Sequence, residues 1–340
     1  MHKIIKELHV PKVILRYIMM IFLDMNTIKN IILHVKIMNV LDNHSKNILD
    51  KTRRGFIWNC KKGYLDVAQW MYNLRISFNI CTNGKENGEN VENAFKLSCA
   101  NGHLTVAQWL FSLDTTNINI HADNEFAFKK SCEYGHFVVA QWLYDLCEKD
   151  QNKIDINDDY YYAYRYSCLN GHLAIAQWLH ELRMVRNIQL LDQLDQHALG
   201  LAGEIIDQYV FGLACENGHL HIVKWLYSLG TINIRAHKDT AFKKSCEYGH
   251  LDVAQWLYYL GRGQHDEINQ HDGINQHDNI DIINIHDSDE YAFRWSCIHG
   301  HLDVAQWLYS LGQINVCAAH KAVLQYSTET VLDWLNQIVL

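Results

Sequence analysis

The chain has 340 residues, of which 20% are charged, and a formal net charge of −8. Acidic and basic residues are interspersed, so no basic face is wide enough to hold a nucleic-acid backbone, and we expect no nucleic-acid partner. The most apolar early run, residues 14–23, is interrupted by Arg16 and is about half as long as a membrane-spanning helix, so we also expect no membrane role.

Residues 1–50 differ from the rest of the chain and are rich in Ile, Leu and Met. Between Thr27 and Leu41 the apolar residues follow the helical period of about 3.6 residues, which predicts a helical N-terminal cap or decayed repeats. A second interpretation rests on the residues Leu8, Pro11, Ile14, Leu15, Ile18, Leu23, Asp24, Ile28 and Leu33. Their spacing loosely resembles the F-box, a three-helix module that docks onto ubiquitin-ligase scaffolds.

From about Gly55 onward, one motif occurs seven times, each copy centred on a glycine with a cysteine three residues before it and a tryptophan seven residues after it. The glycines are Gly63, Gly102, Gly135, Gly171, Gly218, Gly249 and Gly300; the cysteines are Cys60, Cys99, Cys132, Cys168, Cys215, Cys246 and Cys297; the tryptophans are Trp70, Trp109, Trp142, Trp178, Trp225, Trp256 and Trp307. Such self-similarity is typical of a repeat array, in which each unit covers only its neighbours. We therefore expect one elongated array.

Each copy predicts a pair of helices. In Ala127–Cys132 the small and apolar residues fall at i, i+1, i+4 and i+5, which form one face of a short helix. Gly135 stands where that helix must end, because glycine adopts the left-handed conformation without a steric penalty. The run around the tryptophan predicts a second, antiparallel helix of about ten residues.

Short segments in which β-branched residues alternate with Asn or Asp connect the helix pairs. They are Ile118–Ile120, Ile154–Ile156, Ile232–Ile234, Ile283–Ile285 and Ile314–Val316. This composition suits an extended, turn-forming linker rather than a third helix. The sequence thus predicts an all-α solenoid of helical hairpins joined by short β-turn fingers, with helical caps at both ends.

The predicted domains are an N-terminal segment, residues 1–50, and a repeat array, residues 51–340. The units lie near 55–80, 92–121, 125–155, 161–183, 208–235, 239–262 and 289–316, with a C-terminal cap at 319–340. We expect the insertion at 183–207 to form an extra helix or a degenerate unit. The insertion at 262–289 repeats Gln-His-Asp every six residues and predicts a polar, disordered loop.

From residue 55 to 340 the chain resembles the ankyrin repeat. The Gly-His pair, the Leu-x-Val-Ala second helix, the Leu229–Gly230 ending and the Ile-Asn-Ile phrase carry the resemblance, and Gly102 and Gly135 are 33 residues apart, equal to the family period. The family's Thr-Pro-Leu-His opening is missing, so the units should be less rigid than idealised ankyrins. The abundance of Ile, Asn, Lys and Tyr is similar to the ankyrin-repeat proteins that giant DNA viruses of amoebae encode in large numbers. The resemblance implies non-catalytic protein binding.

The repeated Cys-x-x-Gly-His invites comparison with a zinc site, because Cys132 and His136 are both good zinc ligands. However, Gly135 should turn their side chains apart, and a closed site needs four converging ligands. We therefore expect a core cysteine and a histidine that hydrogen-bonds the linker of an adjacent unit. A loose metal site at His265, His271, His277 and His286 would cost much loop entropy. We predict no metal and no cofactor.

The remaining recurrent residues predict scaffold rather than chemistry. A tryptophan column flanked by Ala and Leu is typical of a core, because each indole buries a large apolar area. Seven of the ten cysteines recur beside apolar residues, which indicates reduced core residues in a reducing, cytoplasmic compartment. No Gly-rich phosphate loop, HExxH or GxSxG motif is present, so we expect no enzyme.

The candidate partner-binding residues are seven cations at matching places in the first helices, which we call the basic ladder: Lys96, Lys129, Lys130, Arg165, Lys243, Lys244 and Arg294. They are either solvated surface or a row that recognises an acidic partner segment, and the ankyrin resemblance places them on the concave side. We predict a monomeric, protein-binding scaffold, with a ubiquitin-ligase substrate adaptor as the alternative function.

Overall fold

The computed structural model describes residues 54–77, 84–113, 118–148, 154, 156, 158–190, 196–262, 283–316 and 329–339. They fall into two compact units, Met1–Asp155 and Ile156–Leu340. The N-terminal segment at 1–50, most of the Gln-His-Asp loop and the start of the C-terminal cap lie outside the described residues, so the predictions made for them stay predictions.

The described part of the first unit consists of helices. They are α1 (54–61), α2 (Leu65–Ser77), α3 (Gly84–Ala100), α4 (Leu104–Phe111), α5 (Ala122–Glu133) and α6 (Phe137–Glu148). Helices α3 and α4 pack together as one hairpin, α5 and α6 pack as the next, and the first helices α3 and α5 pack against each other.

The second unit repeats the arrangement. Its helices are α7 (Asp158–Leu169), α8 (Leu173–Leu190), α9 (Gln196–Glu216), α10 (Leu220–Ser228), α11 (Ala236–Glu247), α12 (Leu251–Leu260), α13 (Asp287–Ile298), α14 (Leu302–Ser310) and α15 (Glu329–Val339). The hairpins are α7–α8, α9–α10, α11–α12 and α13–α14, and the first helices pack in the order α7, α9, α11, α13. No strand occurs among the described residues, which confirms the all-α solenoid.

In each hairpin the motif glycine ends the first helix, and residues before that glycine form the core. The seven motif glycines have φ between 73° and 81°. In one copy the His136 N–H donates to the Ser131 carbonyl oxygen at 2.8 Å, which satisfies a carbonyl group at the helix end. The aromatic residue seven before each glycine is buried: Phe56, Phe95, Phe128, Tyr164, Phe211, Phe242 and Phe293. The predicted face and C-cap of the first helix are confirmed.

These linker segments form turns, and each turn leads into the first helix of the next hairpin. Asn119 Oδ1 accepts the His121 N–H at 3.0 Å, and Asn233 Oδ1 accepts the Arg235 N–H at 2.8 Å. Asparagine side chains favour such turns because they offer the backbone a local acceptor. Three residues then adopt the left-handed conformation in each of three helices: 123–125 in α5, 237–239 in α11 and 288–290 in α13. This left-handed turn was not predicted.

Two further elements complete the second unit. Helix α8 runs on to Leu190 and α9 starts at Gln196, so helices occupy both ends of the insertion at 183–207. At the other end of the unit, Trp334 of α15 lies 6.3 Å from the Phe293 ring and 5.8 Å from the Tyr309 ring, so α15 packs on the last hairpin. Among the described residues, no helix has the length and hydrophobicity needed to cross a membrane.

Candidate partner-binding surface

The cysteine column belongs to the core. All seven motif cysteines are buried and free of disulfide bonds. Burial raises the pKa of the Cys60 and Cys297 thiols to about 12 and also raises the pKa of the other five. The thiolate is the nucleophilic and metal-binding form, and it is scarce at such a pKa. Within the described ranges, no group of three His, Cys, Asp or Glu residues is placed to hold a metal ion.

The histidine after the glycine joins successive hairpins. His219 Nε2–H donates to the Leu169 carbonyl oxygen at 2.7 Å, and His250 Nε2–H donates to the Glu216 carbonyl oxygen at 2.9 Å. Leu169 and Glu216 are the last residues of α7 and α9, where carbonyl groups lack helical partners. The expectation that this histidine bonds a neighbouring linker is therefore wrong, because it satisfies a helix end instead.

The same imidazole rings lie against glycines of the preceding hairpin. A Cβ atom at Gly218 would come within 2.4 Å of His250 Nδ1, and one at Gly249 within 2.4 Å of His301 Nδ1. Only glycine leaves room for the ring. Burial lowers the pKa of His103, His219 and His301, so the folded protein favours their neutral form.

The tryptophan column packs between hairpins rather than at their centres. Trp142 lies 6.1 Å from the Phe95 ring and 6.0 Å from the Phe111 ring, both in the preceding hairpin. Trp256 is 5% exposed, whereas the other six motif tryptophans are half-buried. The prediction of a packing role is confirmed, but the prediction that the whole column is core is wrong. Six of the seven indoles are thus only partly buried.

A row of acidic residues at the fingers was not predicted. Asp239, 1% exposed, pairs with Arg235 of its own finger and accepts the Asn284 N–H of the next finger at 3.3 Å. Glu290 does the same with His286 and Asn315. The sequence signal is a basic residue four positions before an acidic one in three of the fingers: His121 and Glu125, Arg235 and Asp239, His286 and Glu290.

A buried polar network holds the extended helices α8 and α9 together. Arg183 Nη2 donates to both carboxylate oxygens of Asp207 at 2.9 and 2.8 Å, and the Tyr164 hydroxyl donates to Asp207 Oδ1 at 2.9 Å. Arg183 and Asp207 are 3% and 4% exposed. A buried ion pair of this kind fixes geometry, because removing either partner leaves the other charge uncompensated. The network therefore anchors the insertion and leaves its charges unavailable to a partner.

The structure places all seven ladder residues on first helices, but their charges are largely compensated. Lys96 on α3 bonds Asp123 of the next hairpin, and Lys243 on α11 bonds Asp287 of the next hairpin. Both lysines lie six residues before the motif glycine of their own repeat, so the same contact occurs in two repeats. Each joins two first helices across a finger.

Four of the other five ladder residues lie beside acidic or aromatic groups. Lys130 and Lys244 each bond the glutamate three residues on, and lie over Tyr134 and Tyr248 at 5.6 and 5.5 Å from the ring centroids. Arg165 lies 5.1 Å from the Tyr209 centroid, Arg294 lies 3.9 Å from an Asp289 oxygen, and Lys129 is buried. Five of the seven cations thus have a carboxylate oxygen within 3.9 Å.

The first helices of the second unit also display aromatic side chains, which the sequence reasoning missed. We define the first-helix track as the residues nine and five positions before each glycine of this unit: Tyr162, Tyr166, Tyr209, Leu213, Thr240, Lys244, Tyr291 and Trp295. All are half-buried or exposed. Tyr162 stacks on Tyr166 at 4.2 Å, and Trp295 stacks on His299 at 5.3 Å. Counting backwards from each glycine would have found the track.

Comparison with known proteins agrees with this geometry. Residues 168–272 match the family model described as ankyrin repeats, with three copies. The matched stretch runs from Cys168 at the end of α7 through the α9–α10 and α11–α12 hairpins. Among curated proteins, none matches the chain.

Proposed function

We propose that the protein is a non-catalytic scaffold that binds another protein through the face of its first helices. The observation that carries the proposal is that the recurrent residues and the varied residues of each repeat lie in different environments. The recurrent Phe, Cys, His and Trp are used in packing within and between hairpins, whereas the exposed first-helix positions vary between copies. In repeat proteins such varied surfaces select the partner. The ankyrin match at 168–272 supports the same function.

We further propose that the basic ladder takes part in this contact. An acidic partner would have to exchange its carboxylates for those that already pair with Lys96, Lys130, Lys243, Lys244 and Arg294. Such exchange gives little affinity, because the intramolecular pairs are lost as the new ones form. It does give selectivity, since only a partner that brings its own carboxylates can replace those that are displaced.

A charge-reversal pair tests the surface. Lys130→Glu with Lys244→Glu changes one equivalent position in each unit, and Lys224→Glu on the second helix α10 is the matched control. Tagged chains are used to purify partners, which are identified by mass spectrometry. We expect the proteins bound by the wild type to be lost with the double variant and kept with the control. Equal recovery with all three chains would refute the proposed surface.

We also propose a cytoplasmic setting in which the partner belongs to an infected amoeba. The composition resembles that of giant-virus ankyrin proteins, and buried reduced cysteines suit a reducing compartment. The purification is therefore run in amoebal lysate and, in parallel, in an unrelated lysate. Partners recovered equally from both would remove the support for a host-specific role.

The second candidate function is a ubiquitin-ligase substrate adaptor. It is favoured by the spacing of Leu8, Pro11, Ile14 and Leu15, which resembles the start of an F-box. Under this proposal residues 8 to about 45 bind the ligase scaffold, and the repeats hold the target. A ligase scaffold protein should co-purify with the full chain and not with a chain that begins at residue 46. Equal recovery with both chains would rule the adaptor out.

A further inference from the structure

The first-helix track is largely aromatic and apolar on α7, α9 and α13, and it is interrupted on α11 by Thr240 and Lys244. Helices α7, α9, α11 and α13 pack in that order. Five of the eight track residues are aromatic and a sixth is Leu213. Tyr209 is 48% exposed. Exposed Tyr and Trp clusters are enriched at binding sites, because a rigid aromatic ring buries a large area at a small entropy cost.

Along α11 and α13, the charge on both sides of the track is balanced. Lys243 pairs with Asp287, Lys244 pairs with Glu247 at 2.8 Å, and Arg294 lies near Asp289. The Tyr291 hydroxyl donates to Glu247 at 2.8 Å, which holds that carboxylate beside the track. With its ammonium group paired, Lys244 contributes its apolar stem. The track therefore favours an uncharged ligand over a strongly acidic one.

Nucleic acid does not suit this track. Aromatic platforms bind single strands when a neighbouring row of unpaired cations follows the phosphates. On α11 and α13 the cations that would serve are already paired with Asp287, Glu247 and Asp289, so they offer a phosphate backbone little attraction. A polypeptide with apolar side chains needs no such cations.

The spacing of the helices selects the conformation of that polypeptide. Packed helices lie roughly 8–10 Å apart. A polyproline II helix repeats every three residues, which is about 9.3 Å at a rise of about 3.1 Å per residue. A β-strand repeats at about 6.7 Å and an α-helix at about 5.4 Å. Of these three repeats, only that of polyproline II falls within the usual spacing of packed helices, roughly 8–10 Å.

We propose that the first-helix track binds an uncharged, proline-rich segment in the polyproline II conformation, with one Pro-x-x triplet for each repeat. Proline rings stack well on Tyr and Trp, and the preformed helix loses little entropy on binding. This inference rests on the proposed scaffold function and names the chemistry of its partner. It differs from the acidic partner that the ladder alone suggested.

Fluorescence anisotropy of the full chain with four labelled probes tests the proposal. The probes are a peptide of four Pro-Leu-Gln triplets, a peptide of the same composition with irregular proline spacing, a glutamate-rich peptide of equal length, and a twelve-nucleotide oligouridine. The variants are Tyr209→Ala and Trp295→Ala. Tyr309→Ala is the control, because Tyr309 is 39% exposed but lies on the second helix α14. Circular dichroism checks that each variant is folded, and Tyr209→Ala serves alone where Trp295→Ala does not fold.

We expect the regular triplet peptide to bind about ten-fold more tightly than the irregular one. Tyr209→Ala and Trp295→Ala should each weaken it about ten-fold, and Tyr309→Ala should not. Equal binding of the two proline peptides, or unchanged binding by the track variants, overturns the proposal. Binding of the glutamate peptide instead overturns it but leaves the scaffold function intact, as does failure of all peptides while cellular partners are still recovered. Binding of oligouridine alone contradicts both.

Discussion

Within one hairpin, the phenylalanine and the tryptophan differ in burial although both are large aromatic residues. Phe128 is 1% exposed at the centre of the α5–α6 hairpin, whereas Trp142 is half-buried at the junction with the preceding hairpin. Deleting a buried aromatic side chain removes its transfer energy and leaves a cavity. A side chain that already meets solvent on one side loses less.

We therefore predict that Phe128→Ala lowers the free energy of unfolding by about 3–5 kcal/mol, and that Trp142→Ala costs less. Urea denaturation followed by circular dichroism measures both. Phe128→Leu is the control for volume, and it should recover most of the loss. A cost for Trp142→Ala equal to that of Phe128→Ala would mean that the indole is core after all.

Two glycines with the same left-handed backbone conformation separate the cost of backbone strain from the cost of a contact with histidine. Gly218 and Gly230 have φ of 73° and 79°. A Cβ atom at Gly230 meets nothing within 4 Å, whereas one at Gly218 meets His250 at 2.4 Å. Gly230→Ala should cost about 1–2 kcal/mol from the left-handed conformation alone. Gly218→Ala should cost more, because the ring must move and its bond to Glu216 is lost.

A double-mutant cycle with His250→Ala identifies the origin of the difference. Once the ring is absent, Gly218→Ala should cost about as much as Gly230→Ala, since only the backbone term remains. The free energies of unfolding of the four chains provide the measurement. Strict additivity of Gly218→Ala and His250→Ala would show that the imidazole contact does not account for the extra cost.

At the scale of elements, we expect the buried histidines that follow motif glycines to make the stability of the stack dependent on pH. The pKa values of His103, His219 and His301 are lowered mainly by burial. Below about pH 6.5, the ordinary histidine pKa, the unfolded chain therefore binds more protons than the folded one. Stability contributed by the neutral rings is fully present above that pH and is lost as pH falls towards the lowered folded values.

We predict that the urea midpoint falls between pH 7.5 and pH 5.5, and that His219→Gln reduces the fall. Glutamine keeps a side-chain N–H for the Leu169 carbonyl group but does not titrate. The chain Asp252→Asn, changed at an exposed position of α12, controls for general charge effects. An identical pH dependence in His219→Gln and the wild type would exclude His219 as a source.

The hairpins could be predicted because their signal lies within each repeat. Cys, Gly and Trp keep fixed spacing, and helical periodicity places Phe128 and Cys132 on one face. The partners of the ladder could not be predicted, because those contacts cross linkers of different lengths. Lys96 reaches Asp123 27 residues away, and the equivalent Lys243 reaches Asp287 44 residues away. No constant spacing connects the two pairs.

The left-handed turn and the finger carboxylates escaped prediction for a related reason. Glycine is the residue that normally announces a left-handed conformation, yet 123–125, 237–239 and 288–290 contain none. The turn is held by its surroundings instead. Asp239, for example, is fixed by Arg235 on its own finger and by the Asn284 N–H of the next. Such a conformation depends on contacts between fingers. The conformational preferences of the individual residues do not predict those contacts.

At the scale of the whole molecule, the repeated cysteine provides one reporter at the same place in every hairpin. All seven are buried, and a thiol with a pKa of about 12 has on the order of 0.01% thiolate at pH 8. We predict that iodoacetamide does not modify them in the native protein. Mass spectrometry of individual peptides, with urea-unfolded protein as the reference, gives the rate for each cysteine.

The same reporters test how neighbouring hairpins unfold together. Cys215 on α9 and Cys246 on α11 lie in hairpins joined by the bond from His250 to the Glu216 carbonyl group. In a stack, stability is the sum of the hairpins and their junctions, so this bond should couple the two. We predict that both cysteines become reactive at the same urea concentration in the wild type and at different concentrations in His250→Ala. If they separate already in the wild type, the histidine junction is too weak to make adjacent repeats one cooperative unit.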